Sequence, residues 1–379
     1  FTDNLKLDLE RRDFTINAMA YNDKRGLVDE FEGIKDLKDG IIRCVGDAGQ
    51  RFDEDALRML RAVRFAGQLG FEIEEETRNA IVQRADRLEN ISAERIRVEL
   101  TKLLVAKEAG RLRDAYSTGM TRYFLPELDK AMVTEQKNPH HVYTVGEHSI
   151  HGIEIMNCFF EVTSDRKMYD KVPEEVMITA KKIAKKMNKK QHTILCMAML
   201  LHDIAKPVVM TIDGDGTGHF YGHPQESEKM AKKIMRRLTF DNESISKVCR
   251  LVKFHDYRIE DSSKAFRRAV SKIGADIMDM LFLVEYADVL SQSDKMLEEK
   301  LSKINSGVER FEYITQNAQP LSIKELALTG ADLIAAGVKP GPNMGEILKK
   351  MLDKVLDEPE ANTKENLLEY LKTMDDFSL

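Results

Sequence analysis

Over roughly the first forty positions, short apolar stretches alternate with polar ones. Turn chemistry punctuates them at Asn22-Asp23-Lys24-Arg25-Gly26 and at the Asp39-Gly40 step, predicting a few short strands and part of a sheet. From about residue 53 the period lengthens to that of a helix. Leu57, Leu60 and Val63 fall on one side, and Arg58, Arg61 and Arg64 on another. Ser92 precedes Glu94 and an apolar run through Ile96, Leu100 and Leu103, which predicts an N-capped helix with an acid near its positive end. Asn138-Pro139 breaks the pattern. A second helical region runs over about 141–300, interrupted by Asp213-Gly214-Asp215-Gly216, a stretch suited to a tight hairpin. The pattern as a whole predicts a mainly α chain with a small β remnant at its amino terminus.

The 379 residues suffice for two or three domains, and the hydrophobic share of 42% can build cores without disulfides. Cys44, Cys158, Cys196 and Cys249 are scattered and form no Cys-x-x-Cys pair, so a zinc knuckle is not indicated and a reducing cytoplasm is expected. No apolar run approaches the ~20 residues of a membrane span, so no membrane partner is expected. The net charge of −6 weighs mildly against a nucleic-acid binder, but a local basic face can hide inside such a balance. Lys181, Lys182, Lys185, Lys186, Lys189 and Lys190 recur on helical spacing and form either such a face or an ordinary solvated one.

Two constellations carry chemistry. In the first, Asp55 and Arg58 are three apart and on one helix would share a face. Cytosine and adenine both present an amino donor beside a ring-nitrogen acceptor, so a carboxylate next to a guanidinium suits them, and uracil and guanine would leave groups unpaired. Taken alone, the pair also fits an ordinary surface contact. Upstream, Arg11-Arg12-Asp13-Phe14-Thr15-Ile16-Asn17 couples two guanidiniums suited to triphosphate oxygens with a carboxylate and an amide suited to ribose hydroxyls, or forms a plain strand edge. In the second, His202-Asp203 ends the apolar run Met197-Ala198-Met199-Leu200-Leu201, with His148 upstream and His223, His255 and Asp288 downstream. Imidazoles and carboxylates in this number suit divalent metals that activate water for phosphate-ester hydrolysis. Lys206 is either a phosphate-holding cation beside that pair or a solvated helix-end lysine. His140, His141, His151, His192 and His219 stay unassigned. Near the carboxy terminus, the turn from Gly337 to Gly345, ahead of Glu346-Ile347-Leu348-Lys349-Lys350, is either a phosphate-binding helix start or a connector.

Taken in order, the Arg11 segment, the stretch from Gly46 to Phe52, Glu54-Asp55-Ala56-Leu57-Arg58 and Ser92-Ala93-Glu94-Arg95-Ile96-Arg97 closely resemble successive motifs of class II tRNA nucleotidyltransferases and related poly(A) polymerases. The resemblance implies nucleotide binding by Arg11, Arg12, Asp13, Asn17, Asp55, Arg58 and Arg61, a hinge from Gly46 to Phe52, and a brace from Glu94 and Arg97. It further implies CTP and ATP as substrates, tRNA as partner and Mg²⁺ for transfer. That Mg²⁺ would be held by a D-x-D pair expected upstream of Phe1, so the chain is expected to be truncated within its head. His148, His202, Asp203, His223, His255 and Asp288 match, position by position, the ligand pattern of the HD superfamily. This implies a divalent transition metal such as Ni²⁺, Mn²⁺ or Fe²⁺, with Asp203 and Lys206 as catalytic residues. Four regions follow: a partial nucleotidyltransferase head over 1–40, a helical neck over 41–140, a helical HD domain over 141–300, and a helical tail over 301–379 that contacts RNA through Lys339, Gly341 and Gly345. The expected activity is CCA addition to tRNA 3′ ends. A poly(A) polymerase, a CC-only or A-only enzyme, an HD phosphohydrolase alone and a noncatalytic RNA-binding fragment remain as alternatives.

Overall fold

The computed structural model describes residues 4–137, 142–162, 170 and 172–374, so Asn138-Pro139 and two of the unassigned histidines, His140 and His141, lie outside the described residues. The fold is mainly α, and each sheet among the described residues has two strands. The chain divides into two compact units, one of Phe1–His255 with Leu283–Glu298 and the other of Asp256–Phe282 with Glu299–Leu379.

In the first unit the amino-terminal region holds less strand than its pattern predicts. Met19–Asn22 and Gly26–Asp29 form an antiparallel hairpin around the expected turn, where Gly26 takes φ +71°. Leu5–Glu10 and Gly33–Asp39 are helices instead. Leu5 and Leu9 are one helical turn apart, and Leu9 is fully buried against Ala18 and Val45, with Leu5 packed on that cluster. The Asp29 carboxylate accepts from the amides of Gly33 and Ile34 at 2.7 and 2.9 Å, satisfying the helix start that follows. Gly40, at φ +70°, is therefore a helix stop and not a strand turn.

The helix expected from residue 53 is really two, Ala48–Glu54 and Leu57–Leu69, because Asp55 is extended at φ −152° and ψ 99°. Leu57, Leu60 and Val63 are buried as predicted, but so is Arg64. The helix Leu57–Leu69 packs against Ala93–Leu104. Ser92 is the N-cap of the latter by position, although its side chain makes no capping bond.

Further along the same unit, Val145–Phe159 packs on Lys189–Leu201, and His223–Arg237 on Asn242–Phe254. Gly146 permits close approach, since a Cβ there would lie 2.7 Å from the Met132 amide nitrogen. The Asp213-Gly214-Asp215-Gly216 stretch does turn a hairpin, joining Thr211–Ile212 to Gly218–His219. The lysine stripe does not form one face. Glu174–Ala184 ends before Lys185, and Asn188 opens a new helix with a capping box to Gln191. Lys181 pairs with Glu161, and Lys190 with Asp241 and Glu243. Against the expectation from the sequence, the segment Lys189–Val209 has the length and hydropathy of a membrane span, but most of it is buried inside the protein.

In the second unit, Arg267 and Arg268 of the helix Ser263–Ile273 bond the end of Pro342–Asp357 at the Leu356 and Asp357 carbonyls and the Asp357 carboxylate. Lys339, Gly341 and Gly345 are exposed around the start of that second helix.

Candidate nucleotide-reading and metal sites

The segment Arg11–Asn17 is latched onto the helix Leu57–Leu69 by guanidiniums. Arg61 donates twice to Asp13 Oδ2, at 2.9 and 2.6 Å, and Arg58 donates to the Arg11 carbonyl at 2.8 Å. Asp13 is a hub, since its other oxygen accepts from Asn17 Nδ2 and from the Phe14 amide. Arg12 reaches the Asn17 carbonyl at 2.8 Å, and Arg11 and Arg12 both pair with Asp8. Thus Arg11, Arg12, Asp13, Asn17, Arg58 and Arg61 do come together.

Asp55 and Arg58 do not share a helical face, as their spacing suggested. The helix breaks at Asp55, whose Oδ1 accepts from the Leu57 amide at 3.2 Å and whose Oδ2 pairs with Arg95 at 2.7 Å. Arg58 instead pairs with Glu54 at 2.8 Å. The brace also moves. Glu94 is exposed, and Arg97 turns away to the Thr239 carbonyl and hydroxyl, so neither supports the helix Leu57–Leu69. Glu99 does so through Arg64 and Arg61, while Arg95, one helical turn away on the same face, holds Asp55 at the junction ahead of that helix. Glu99, nearly fully buried, pairs with Arg64 at 2.5 Å and approaches Arg61 at 4.0 Å. Burial pushes the Arg64 guanidinium below its usual range, and the Glu99 charge opposes that. Helical spacing from Arg95 to Glu99 was the available signal for this pair, and the motif resemblance drew attention to its neighbours instead.

Gly46 stands at φ +65°, and Asp47 caps the helix that follows by accepting from the Gln50 amide at 2.7 Å, so most of the expected hinge is helical. A cleft of about 550 Å³ borders it, lined by Arg43, Gly46, Asp47, Glu74 and Arg84 among others; neither Asp55 nor Arg58 lines it.

The second constellation is buried. His148, on Val145–Phe159, and His202-Asp203, just after Lys189–Leu201, meet His223 at the start of His223–Arg237, His255 just after Asn242–Phe254, and Asp288 on Met278–Leu290. The Nε2 atoms of His148 and His202 are 3.2 Å apart, and those of His223 and His255 are 3.3 Å apart. His148 Nε2 lies 2.9 Å from Asp288 Oδ1, His202 Nε2 3.3 Å from Asp203 Oδ2, and His223 Nε2 3.2 Å from Asp203 Oδ1. Two overlapping ligand sets result, His148/His202/Asp288 and His202/Asp203/His255.

Each ring faces a carbonyl with its other nitrogen: His148 Nδ1 to Ser291, His202 to Met199, His223 to Phe220 and His255 to Val252, at 2.7 to 3.2 Å. A carbonyl only accepts, so Nδ1 must carry the proton and Nε2 is left with a lone pair. Four lone pairs thus point at one another, and the buried Asp203 Oδ1 makes no hydrogen bond. Both features fit a divalent metal. The electrostatics agree. Burial alone would lower His202, but Asp203 and Asp288 push it up to about 10, so the carboxylates demand positive charge at its Nε2, from a proton or from a metal in the proton's place. Asp203, despite burial, is held well below the carboxylate range by His202 and Lys206. Lys206 Nζ pairs with Asp203 Oδ2 at 2.6 Å and is buried, not a solvated helix end.

The remaining described histidines serve elsewhere. His192 bonds Asn157 Oδ1 at 2.7 Å and stacks on Phe160; His151 pairs with Glu154; His219 pairs with Asp213 in the hairpin.

Comparison with known proteins gives a consistent picture. Family profiles match at residues 1–43 (poly(A) polymerase head domain), 70–132 (RNA- and SrmB-binding site of polymerase A) and 222–371 (tRNA nucleotidyltransferase domain 2). The chain is 48% identical over 126 residues to the CCA-adding enzyme of Leuconostoc mesenteroides, covering 33% of this chain and 31% of that protein. It is 44% identical over 155 residues to that of Pediococcus pentosaceus, covering 38% and 39%. These matched stretches span about a third of the length of the curated relatives. In fold, the Bacillus stearothermophilus CCA-adding enzyme in complex with CTP is similar with a TM-score of 0.61 at 22% identity, over 98% of this chain and 75% of that one. The Thermotoga maritima CCA-adding enzyme complexed with tRNA gives 0.52 at 22% identity, over 97% and 74%. Motif order, the three profile matches and the curated relatives all point the same way, and the chain is similar in sequence and fold to class II tRNA nucleotidyltransferases and poly(A) polymerases.

Proposed function

We propose that the protein carrying this chain adds C, C and A to tRNA 3′ ends from CTP and ATP. The observation that carries this reading is the latching of Arg11–Asn17 onto Leu57–Leu69 through Asp13–Arg61 and Arg58, which gathers phosphate-type donors beside the Asp55 junction. Arg11 and Arg12 would take triphosphate oxygens, Asp13 and Asn17 the ribose, and Asp55 with Arg58 the base edge. For the base to be read, Arg58 must exchange Glu54, and Asp55 must exchange Arg95, for the nucleotide. Both pairs are partly exposed and cheap to open. Mg²⁺ would serve the transfer by stabilising charge on the phosphates.

Lys339, Gly341 and Gly345, exposed at the start of Pro342–Asp357, would contact tRNA phosphates. The four-region division, with head, neck, HD domain and tail over 1–40, 41–140, 141–300 and 301–379, accompanies this reading, as does a cytoplasmic location. The assay is incorporation of each of the four nucleotides on tRNAs ending before each of the three additions. A-only, CC-only or homopolymeric products on these substrates would replace CCA addition by one of its relatives.

A second activity is favoured by the imidazole cluster: metal-dependent phosphoester hydrolysis. His148, His202, Asp203, His223, His255 and Asp288 would hold a transition metal such as Ni²⁺, Mn²⁺ or Fe²⁺, which would activate water and polarise the phosphoryl group. Lys206 would bind a phosphoryl oxygen. Hydrolysis of a chromogenic phosphodiester that needs added Mn²⁺ and disappears in Asp203→Ala tests it.

A further inference from the structure

Lys206 is held at the edge of the metal-ligand cluster by a residue that belongs to none of the motifs. Gln136 follows the helix Pro126–Val133 and is 2% exposed. Its Oε1 accepts from Lys206 Nζ at 2.9 Å, and its Nε2 donates to the Tyr143 carbonyl at 3.3 Å. The main chain of Gln136 is held as well. A Cβ on Gly218 of the hairpin would lie only 2.4 Å from the backbone carbonyl oxygen of Gln136, so the hairpin backbone seats directly on the main chain that carries this side chain.

The ammonium has three donors. Asp203 Oδ2, at 2.6 Å, takes one, and Gln136 takes a second. A third remains. Without the carboxamide, the ammonium would keep its bond to Asp203 but lose its second anchor, so that it could pivot and its remaining donor would no longer hold one direction. A neutral acceptor avoids this without cancelling the lysine's charge, which is why a glutamine suits the position better than a second carboxylate.

We propose that Gln136 is a positioning residue. It shares the Lys206 ammonium with Asp203 and orients its remaining donor toward a phosphoryl oxygen of a substrate at the metal centre. The inference rests on the phosphohydrolase reading of the cluster.

The test is calorimetric titration of inorganic phosphate into the Mn²⁺-loaded chain, in a double-mutant cycle of Gln136→Leu and Lys206→Met, with Mn²⁺ affinity measured separately. Gln136→Leu should weaken phosphate binding by about tenfold when Lys206 is present, the effect of misplacing one charged hydrogen bond. It should have no further effect in the Lys206→Met background, and Mn²⁺ affinity should stay within about twofold of wild type. Equal weakening in both backgrounds, no weakening, or a parallel loss of Mn²⁺ would overturn the positioning role while leaving the metal centre standing. A wild-type chain that takes up no Mn²⁺ would overturn the metal-centre reading, and this inference with it.

Discussion

The arginine network around Asp13 and the imidazole cluster around Asp203 are built on opposite principles. In the first, Asp8, Asp13, Glu54, Asp55 and Glu99 each have a guanidinium partner, and several of the pairs are open to solvent. In the second, four imidazole Nε2 atoms and an unbonded carboxylate oxygen converge in a buried space. The first is self-sufficient and can trade partners at little cost, which suits the proposed reading of two different bases in turn. The second is incomplete by itself and calls for a cation.

That contrast can be broken at its one exception. Arg64–Glu99 is a buried pair within the open network, so Glu99→Ala leaves a buried guanidinium uncompensated and should cost about 3–5 kcal/mol in chemical denaturation. A loss below about 1 kcal/mol would place that pair with the solvated ones. Asp203→Ala should lower transition-metal affinity by at least about 100-fold, read by metal analysis after dialysis, while leaving nucleotide selection unchanged. Loss of both together would mean that the two regions are not independent.

A third expectation concerns His192, which burial drives down to about 4 from an ordinary 6.5. Between those values the unfolded chain takes up a proton that the folded chain refuses. Stability is therefore full above about pH 6.5 and falls by roughly 1.4 kcal/mol per unit toward pH 4. His192→Gln, which can still bond Asn157, should flatten the part of the pH–stability curve due to this ring; an unchanged slope would remove His192 as its source. The smallest effect belongs to Arg95→Ala. Its half-exposed pair with Asp55 should contribute under about 1 kcal/mol to stability, so any large change in this variant should appear in nucleotide selection and not in folding.

The two regions also differ in how far the sequence revealed them. The six imidazole and carboxylate positions named from the sequence lie together in the fold, because each stands in a recognisable pattern in the chain and the resemblance implies their convergence; that they hold a metal is the proposal. Gln136 was not legible, since a glutamine in a connecting segment carries no periodicity and acquires meaning only through Lys206. In the arginine network the residues were found but their partners were mispaired. Spacing of three implies a shared face only if the helix is continuous, and Asp55 breaks it by accepting the Leu57 amide. Glu94 and Arg97 were named where Glu99 contacts the helix Leu57–Leu69 and Arg95 the Asp55 junction, because charge alone does not say which side of Ala93–Leu104 faces them. At the amino terminus, helices of six and seven residues are too short to show a period against strand-like alternation.

The most direct test of the central claim is nucleotide choice in an Arg58→Ala variant of the whole protein, with all four triphosphates offered to tRNAs lacking the last one, two or three nucleotides. The wild type should add only C, C and then A, while the variant should incorporate UTP and GTP alongside them. Unchanged selection of CTP and ATP by the variant would contradict a base-reading role for Arg58.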